Sequence, residues 1–294
     1  MALYAFDGTW NKDKPGASAD TNVLKFANAF RPGAGVHYVE GVGVRFGLLG
    51  RVFGGIAGAG GWARIRSARQ ALAENLARGD SVIDVIGFSR GAALALEFAE
   101  RTLTMPARGA PLQVRFLGLW DTVHSFGIPG NSINLGWEMT LPGNVRKCFH
   151  ALALDERRHS FPLTRLSTQV ADATREGRLY EVWFRGVHSD VGGGNRNEGL
   201  SSISLYWMLR CAQRCGLEFE PRLVERFAGR RDPDAPISVH DFDPVKNRFR
   251  TVRWTDWVHE SVGPRRDRGK RQHNNPPAGL TRMADDGSLS RPCP

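Results

Sequence analysis

The feature that most constrains the fold is a short bend between two segments of opposite character. Residues 81–87, SVIDVIG, form an apolar, β-branched run suited to a buried strand, and residues 91–103 are rich in Ala, Leu and Glu, a helix composition. Between them stands Gly87-Phe88-Ser89-Arg90-Gly91, a GxSxG motif. A chain that passes from strand to helix this abruptly needs room beside the turn, and the glycines two positions either side of the serine supply it. The serine at the apex is held in strained backbone geometry, with its hydroxyl raised above the sheet. The backbone N–H of Arg90, at the start of the helix, is then free to meet a developing oxyanion, and the helix dipole adds to the attraction. The bland alternative is an ordinary glycine-rich turn; the strand-turn-helix flanks favour the nucleophile.

The rest of the chain reads as alternating short strands and helices. Strands are expected at residues 2–6, 35–40, 113–120 and 179–184, and helices at 63–77, 145–154 and 201–215. This alternation predicts an α/β fold with a mostly parallel central sheet flanked by helices. Seven glycines between Gly47 and Gly61 are mixed with Leu48, Leu49, Val52, Phe53 and Ile56. An interior glycine costs a helix about 1 kcal/mol, so this segment, up to Trp62, reads as an apolar loop and a candidate lid or lipid-contacting element. A structural loop packed on the sheet is the equal competitor. Residues 1–262 are expected to form one catalytic domain. Residues 263–294, rich in Pro, Gly and Asn with seven Lys/Arg against three Asp, are expected to form a basic, solvated tail.

Composition narrows the classes. At 294 residues and 41% hydrophobic, the chain can bury a full core. It has no apolar run of the length a membrane span needs, and the start MALYAFDGTWN lacks the layout of a secretory leader, so the expectation is a chain made in the cytoplasm without a signal peptide. Cys148, Cys211, Cys215 and Cys293 form no CxxC pair and read as buried or incidental thiols. A net charge of +10 favours anionic partners, phospholipid headgroups or nucleic acid, without choosing between them.

A serine of ordinary pKa needs a base to take its proton and an acid to orient that base. Among the histidines that follow Ser89, His188 stands out, in a GVHSDVGGG loop just past the strand at 179–184; His259, in WVHES, is the runner-up. For the acid, Asp121 ends the strand at 113–120 and is preferred, with Asp155 as competitor. Asp190 is read as a brace for the histidine loop. The second oxyanion donor is expected from Gly8 or Thr9 after the first strand, with Asp7 organising that turn. Neither a cofactor nor a metal is required, and an HxD pair at His188 and Asp190 is weak metal evidence. The Asp7-Gly8-Thr9 turn resembles that of aspartate phosphatases, but the position of their nucleophilic carboxylate is Ala5 here, which disfavours phosphoryl transfer.

FDGTWN, GVG, GFSRGA, LGLWDTV, HALALDERR, WFRGVHSDVGGG and WVHESV occur in that order from Phe6 to about Val262. Together they resemble the α/β-hydrolase domain of the type VI secretion phospholipase effectors and their uncharacterised relatives. The resemblance implies an α/β-hydrolase fold, Ser89 as nucleophile, His188 as base and hydrolysis of glycerophospholipid acyl esters of phospholipase A type. It further implies a membrane-surface substrate, export by type VI secretion, a carrier and an immunity protein. The chain departs from the family after GFSRGA, where Ala93-Leu94-Ala95-Leu96-Glu97 replaces the usual aromatic and arginine. Two other functions stay open: a carboxylesterase acting on small soluble esters, and a basic nucleic-acid-binding module. The second leaves the serine bend unexplained, so no nucleic-acid partner is expected.

Overall fold

The computed structural model describes residues 1–8, 20–41, 59–105, 111–123, 139–159, 161–166, 176–238, 248–267 and 272–290. β1 (Ala2–Phe6) and β3 (Ile83–Phe88) are buried along their whole length and pair in parallel, with β2 (Gly35–Val39) on the outer side of β1. Beyond β3 the sheet runs through β4 (Val114–Trp120), β5 (Cys148–Ala153), β6 (Leu179–Phe184) and β7 (Trp257–His259), all parallel. β8 (Thr281–Met283) adds one more parallel strand and β9 (Leu289–Ser290) closes that edge antiparallel, in the order β2-β1-β3-β4-β5-β6-β7-β8-β9. Parallel neighbours need crossover connections that cover both faces of the sheet, which is why its central strands read as continuous apolar runs.

Two helical layers provide that cover. On one face α2 (Ala59–Ala77) and α3 (Arg90–Thr102) bring Ile65, Leu72, Leu94 and Phe98 against Tyr4, Phe6 and Val85. On the other lies α1 (Asn22–Ala29), and after β6 the chain makes the short α4 (His188–Gly192) before α5 (Gly199–Arg214) and α6 (Pro221–Ala228). Phe26, Trp207 and Phe227 from this layer meet Leu3, Ile86, Phe116 and Trp120. The strand period of two divides β1 between the layers, Tyr4 and Phe6 to one side and Leu3 and Ala5 to the other. The result is an α/β-hydrolase-like fold.

Most expected elements coincide with observed ones, to the residue at 2–6 and 179–184. Three expectations are corrected. The helix expected at 145–154 is β5: Cys148–Ala153 is buried throughout and hydrogen-bonded to β4 and β6, and ladders on both edges override the helix propensity of its Ala and Leu. The solvated tail expected at 263–294 instead supplies β8 and β9, with Leu280 and Met283 buried, because the open edge of β7 offers backbone groups that β8 pairs. Trp62 belongs to α2 and not to a loop; its half-buried ring packs on the core, with the Arg101 guanidinium 4.5 Å above it. Leu48, Leu49, Phe53 and Ile56 lie outside the described residues.

Candidate active site

β3 ends at Phe88 and α3 begins at Arg90, so Ser89 alone makes the bend, at φ 57 and ψ −126. A non-glycine residue held there costs about 1–3 kcal/mol and persists only where its surroundings over-determine it. Here the Ser89 N–H donates to the Trp120 carbonyl at 3.0 Å, and the Ser89 carbonyl accepts from Ala92 N–H at 3.1 Å and Val123 N–H at 3.2 Å. The two flanking glycines answer a steric demand. A Cβ at Gly87 would stand 2.6 Å from Ala92 Cα, and one at Gly91 would stand 2.2 Å from the Phe6 carbonyl oxygen. Gly91→Ala must therefore push α3 off β1, and is expected to destabilise the fold by about 3 kcal/mol, measurable as a lowered urea midpoint.

The histidine side of the site is assembled at the C-terminal ends of β4, β5 and β6. His188, the first residue of α4, lies with its Nδ1 2.7 Å from Asp121 Oδ2. Asp121 follows β4 directly, at φ 39; its N–H donates to the Ala151 carbonyl at 2.8 Å, and its Oδ1 accepts from Ala153 N–H at 2.9 Å. With Nδ1–H donated to the carboxylate, Nε2 carries the imidazole lone pair. Two rings hold the imidazole: Phe88, the neighbour of Ser89, at 4.6 Å between centroids, and Phe161 at 4.7 Å. The His188 backbone N–H donates to Glu156 Oε2 at 3.1 Å, and Glu156 takes two side-chain bonds from Arg158, at 2.9 and 2.6 Å.

Charge is concentrated and balanced here. Burial raises the Asp121 carboxyl, but the Arg250 guanidinium and the His188 hydrogen bond outweigh it and hold it well below the usual carboxylate range. Burial likewise works against ionised Glu156, and Arg158 overcomes it, bringing the carboxyl down to about 2. For His188, burial lowers the imidazole below its ordinary 6.5, with the facing Asp121 opposing the shift.

The other expected residues take different places. Asp155 meets Arg185 Nη1 at 2.9 Å, Gly186 N–H at 2.8 Å and Asn274 N–H at 2.9 Å, so it braces the turn leading to His188 and does not contact the imidazole. Asp190 accepts from Val187 N–H at 3.1 Å, Asn195 Nδ2 at 2.7 Å and the Ser238 hydroxyl at 2.6 Å. Asp7 accepts from Gly8 N–H at 2.6 Å, Thr21 Oγ1 at 2.6 Å and the Tyr38 hydroxyl at 2.5 Å, and burial raises its carboxyl. Gly8 lies against the bend, where a Cβ would stand 3.3 Å from Ser89 Cβ, but its amide is turned to Asp7; Thr9 lies outside the described residues. His259 is on β7, stacked on Phe184 at 4.7 Å and bonded to Ser261.

Sequence reasoning missed Glu156, Arg158, Phe161 and Arg250. The first two lie in the HALALDERR motif, where Glu156 followed by Arg158 was a usable signal; nothing local marks Arg250, which is 129 residues from Asp121. Of possible metal ligands, atoms of His259, Glu260 and Asp285 lie within 4.8 Å of one another. They fit an ion poorly: Ser261 N–H points at His259 Nδ1 at 3.2 Å, the Nε2 faces Asp285 at 3.2 Å, and Asp285 is already paired with Arg231.

A mostly parallel sheet carrying a serine on a strand-to-helix bend, with a His–Asp pair at the ends of the neighbouring strands, defines an α/β-hydrolase-like protein. The family model described as T6SS, phospholipase effector Tle1-like, catalytic domain matches residues 3–103 and 98–211, more than half the chain, and the chain belongs to that family. Among curated proteins, the uncharacterized protein YEL023C of Saccharomyces cerevisiae is 44% identical over 71 residues, 22% of this chain and 10% of its own length. Among solved structures, an uncharacterized protein from Pseudomonas aeruginosa has a TM-score of 0.54 at 21% identity, covering 80% of this chain and 51% of that one, a likeness of fold. The structure of the Tle1 effector bound to the VgrG spike of the type 6 secretion system has a TM-score of 0.47 at 24% identity, over 67% of this chain and 51% of that one. The chain thus spans about half the length of these two solved chains and a tenth of the yeast protein.

Proposed function

We propose that the protein is a serine hydrolase cleaving acyl esters of glycerophospholipids, with Ser89 as nucleophile, His188 as base and Asp121 as the acid that orients it. The observation that carries this reading is the 2.7 Å contact of His188 Nδ1 with Asp121, its ring packed on the residue that precedes a serine at φ 57. In the first step His188 Nε2 takes the hydroxyl proton as Ser89 Oγ attacks the ester carbonyl, and the Arg90 N–H, which as the first helical amide has no intrahelical acceptor, donates to the oxyanion. The proton passes to the departing alcohol, leaving an acyl-enzyme. Water then attacks that ester with His188 again as base, and Ser89 regains its proton. A second oxyanion donor comes from Gly8, if its N–H swings from Asp7 to the substrate, or from Thr9.

Family membership supports a phospholipid substrate, and so does the Arg90 side chain. It follows Ser89 directly in the chain, makes no ion pair among the described residues, and is drawn down to about 10 by burial, so an anionic substrate group that reached it would meet an uncompensated cation. A carboxylesterase for neutral short-chain esters gains nothing from that charge. The nucleic-acid reading is weakened by tail cations that bind the protein's own carbonyls: Arg265 donates to the Ala235 carbonyl at 2.9 Å, and Arg282 to the carbonyls of Glu260 and Val262 at 3.0 and 3.1 Å. Type VI export, a spike-protein carrier and an immunity protein are the setting and partners the family suggests. Among the described residues no helix is long and apolar enough to cross a membrane.

Labelling with a fluorophosphonate probe followed by peptide mapping tests the reaction class: an adduct on Ser89 is expected, and an adduct elsewhere overturns the assignment. Comparing phosphatidylglycerol vesicles with p-nitrophenyl butyrate separates lipase from esterase. The pH dependence is a further expected outcome. The base works only when neutral, and burial holds His188 below 6.5, so the acid limb of kcat/KM should fall below that value.

A further inference from the structure

Arg250 reaches the site from a segment remote in sequence and meets both carboxylate oxygens of Asp121. Its Nη1 lies 2.6 Å from Oδ1 and its Nη2 3.2 Å from Oδ2. The same nitrogens donate to the carbonyls of Ala153 and Phe161, each at 3.0 Å, and the Arg250 carbonyl accepts from Asn274 Nδ2 at 2.9 Å. The side chain is 6% exposed. Asp121 is therefore surrounded by donors: Ala153 N–H and Arg250 on Oδ1, His188 and Arg250 on Oδ2. The backbone that Arg250 grips at Phe161 also carries the ring packed on the imidazole, and the Arg158 guanidinium lies 3.8 Å over that ring.

Resting on the triad reading above, we propose that Arg250 is a positioning residue of the active site: its guanidinium holds the Asp121 carboxylate against His188 and cancels the carboxylate's charge before substrate arrives. Among the described residues, the charged groups around the imidazole are Asp121 and Glu156 on one side of the balance and Arg158 and Arg250 on the other, so their formal charges sum to zero. A protonated imidazole would be a lone charge in a buried site, while a neutral one adds none. A buried guanidinium with a planar fork suits this task better than an ammonium, because it fixes two oxygens at once.

The test compares the full chain with Arg250→Gln and Arg250→Lys. It reads kcat/KM against pH with p-nitrophenyl butyrate, and titrates the His188 imidazole by NMR without substrate. In R250Q the Asp121 charge is uncompensated, so the acid limb and the His188 titration should both move up by about one pH unit. R250K keeps the charge and loses the fork, so the limb should stay in place while kcat falls about tenfold, the cost of a misplaced group. A folded R250Q with an unmoved limb and an unmoved His188 titration overturns the proposal. Should circular dichroism show R250Q unfolded, R250K decides, and an undiminished kcat there overturns it. Fluorophosphonate labelling of the wild type keeps the two claims apart. Failure to label Ser89 refutes the triad, whereas labelling with no effect of the Arg250 substitutions refutes only the role of Arg250.

Discussion

Ser89→Ala is expected to lower ester hydrolysis by about 10⁴-fold or more, while the protein melts within about 2 °C of the wild type. The activity loss follows from the removal of the attacking oxygen, which no neighbouring group replaces at the apex of the bend. The unchanged stability follows from the backbone. Alanine at φ 57 bears the same strain as serine, and the bonds that pin this residue, to Trp120, Ala92 and Val123, are all made by its main chain. Ser89→Gly is the informative companion. It relieves the strained conformation and should stabilise the fold by about 1 kcal/mol while remaining inactive, the usual trade between activity and stability at a strained site. Activity in S89A above a tenth of wild type would put the nucleophile elsewhere.

Asp121→Asn is expected to be nearly as damaging to turnover, about 10⁴-fold, and to cost about 3 kcal/mol of stability as well. Both effects come from one atom change. An amide nitrogen facing His188 favours the wrong imidazole tautomer, and the neutral side chain leaves the buried Arg250 guanidinium without its counterion. Asp155→Asn is the contrasting case. Asp155 holds Arg185, Gly186 and Asn274, so its loss should lower the urea midpoint to a similar degree yet leave turnover far above that of D121N. Measuring kcat and the urea midpoint for both variants separates the acid that faces the base from the acid that supports the loop. Equal losses of turnover in the two would remove the distinction.

The parts of this site legible in the sequence are those in which chemistry and local backbone coincide. The serine bend is written in the consecutive residues 81–103, because a β-branched strand, two glycines and an Ala-rich helix each demand their own conformation there. His188 and Asp121 could be picked because Asp121 directly follows one apolar strand and His188 lies a few residues past another, and parallel strands deliver their C-terminal ends to one edge of the sheet. β5 was misread for the opposite reason: its Ala and Leu favour a helix locally, and only pairing with β4 and β6 makes it a strand. The tail strands escaped because their identity depends on the free edge of β7, not on their own composition. Arg250 was invisible, since one arginine among so many in a basic chain carries no mark until a carboxylate 129 residues away is brought beside it.

The order in which the ribosome delivers these parts has a consequence of its own. The strained serine and Asp121 are made at positions 89 and 121, but the guanidinium that balances Asp121 comes only at position 250, and the asparagine that ties that segment to the turn at Asp155 comes at 274. A nascent chain that has emerged only as far as α6 therefore carries Ser89 and Asp121 without the counterion of Asp121. On the proposed triad, competence to attack an ester waits for Arg250 and Asn274, and proteolytic loss of the stretch that carries them should silence hydrolysis while sparing Ser89, Asp121 and His188.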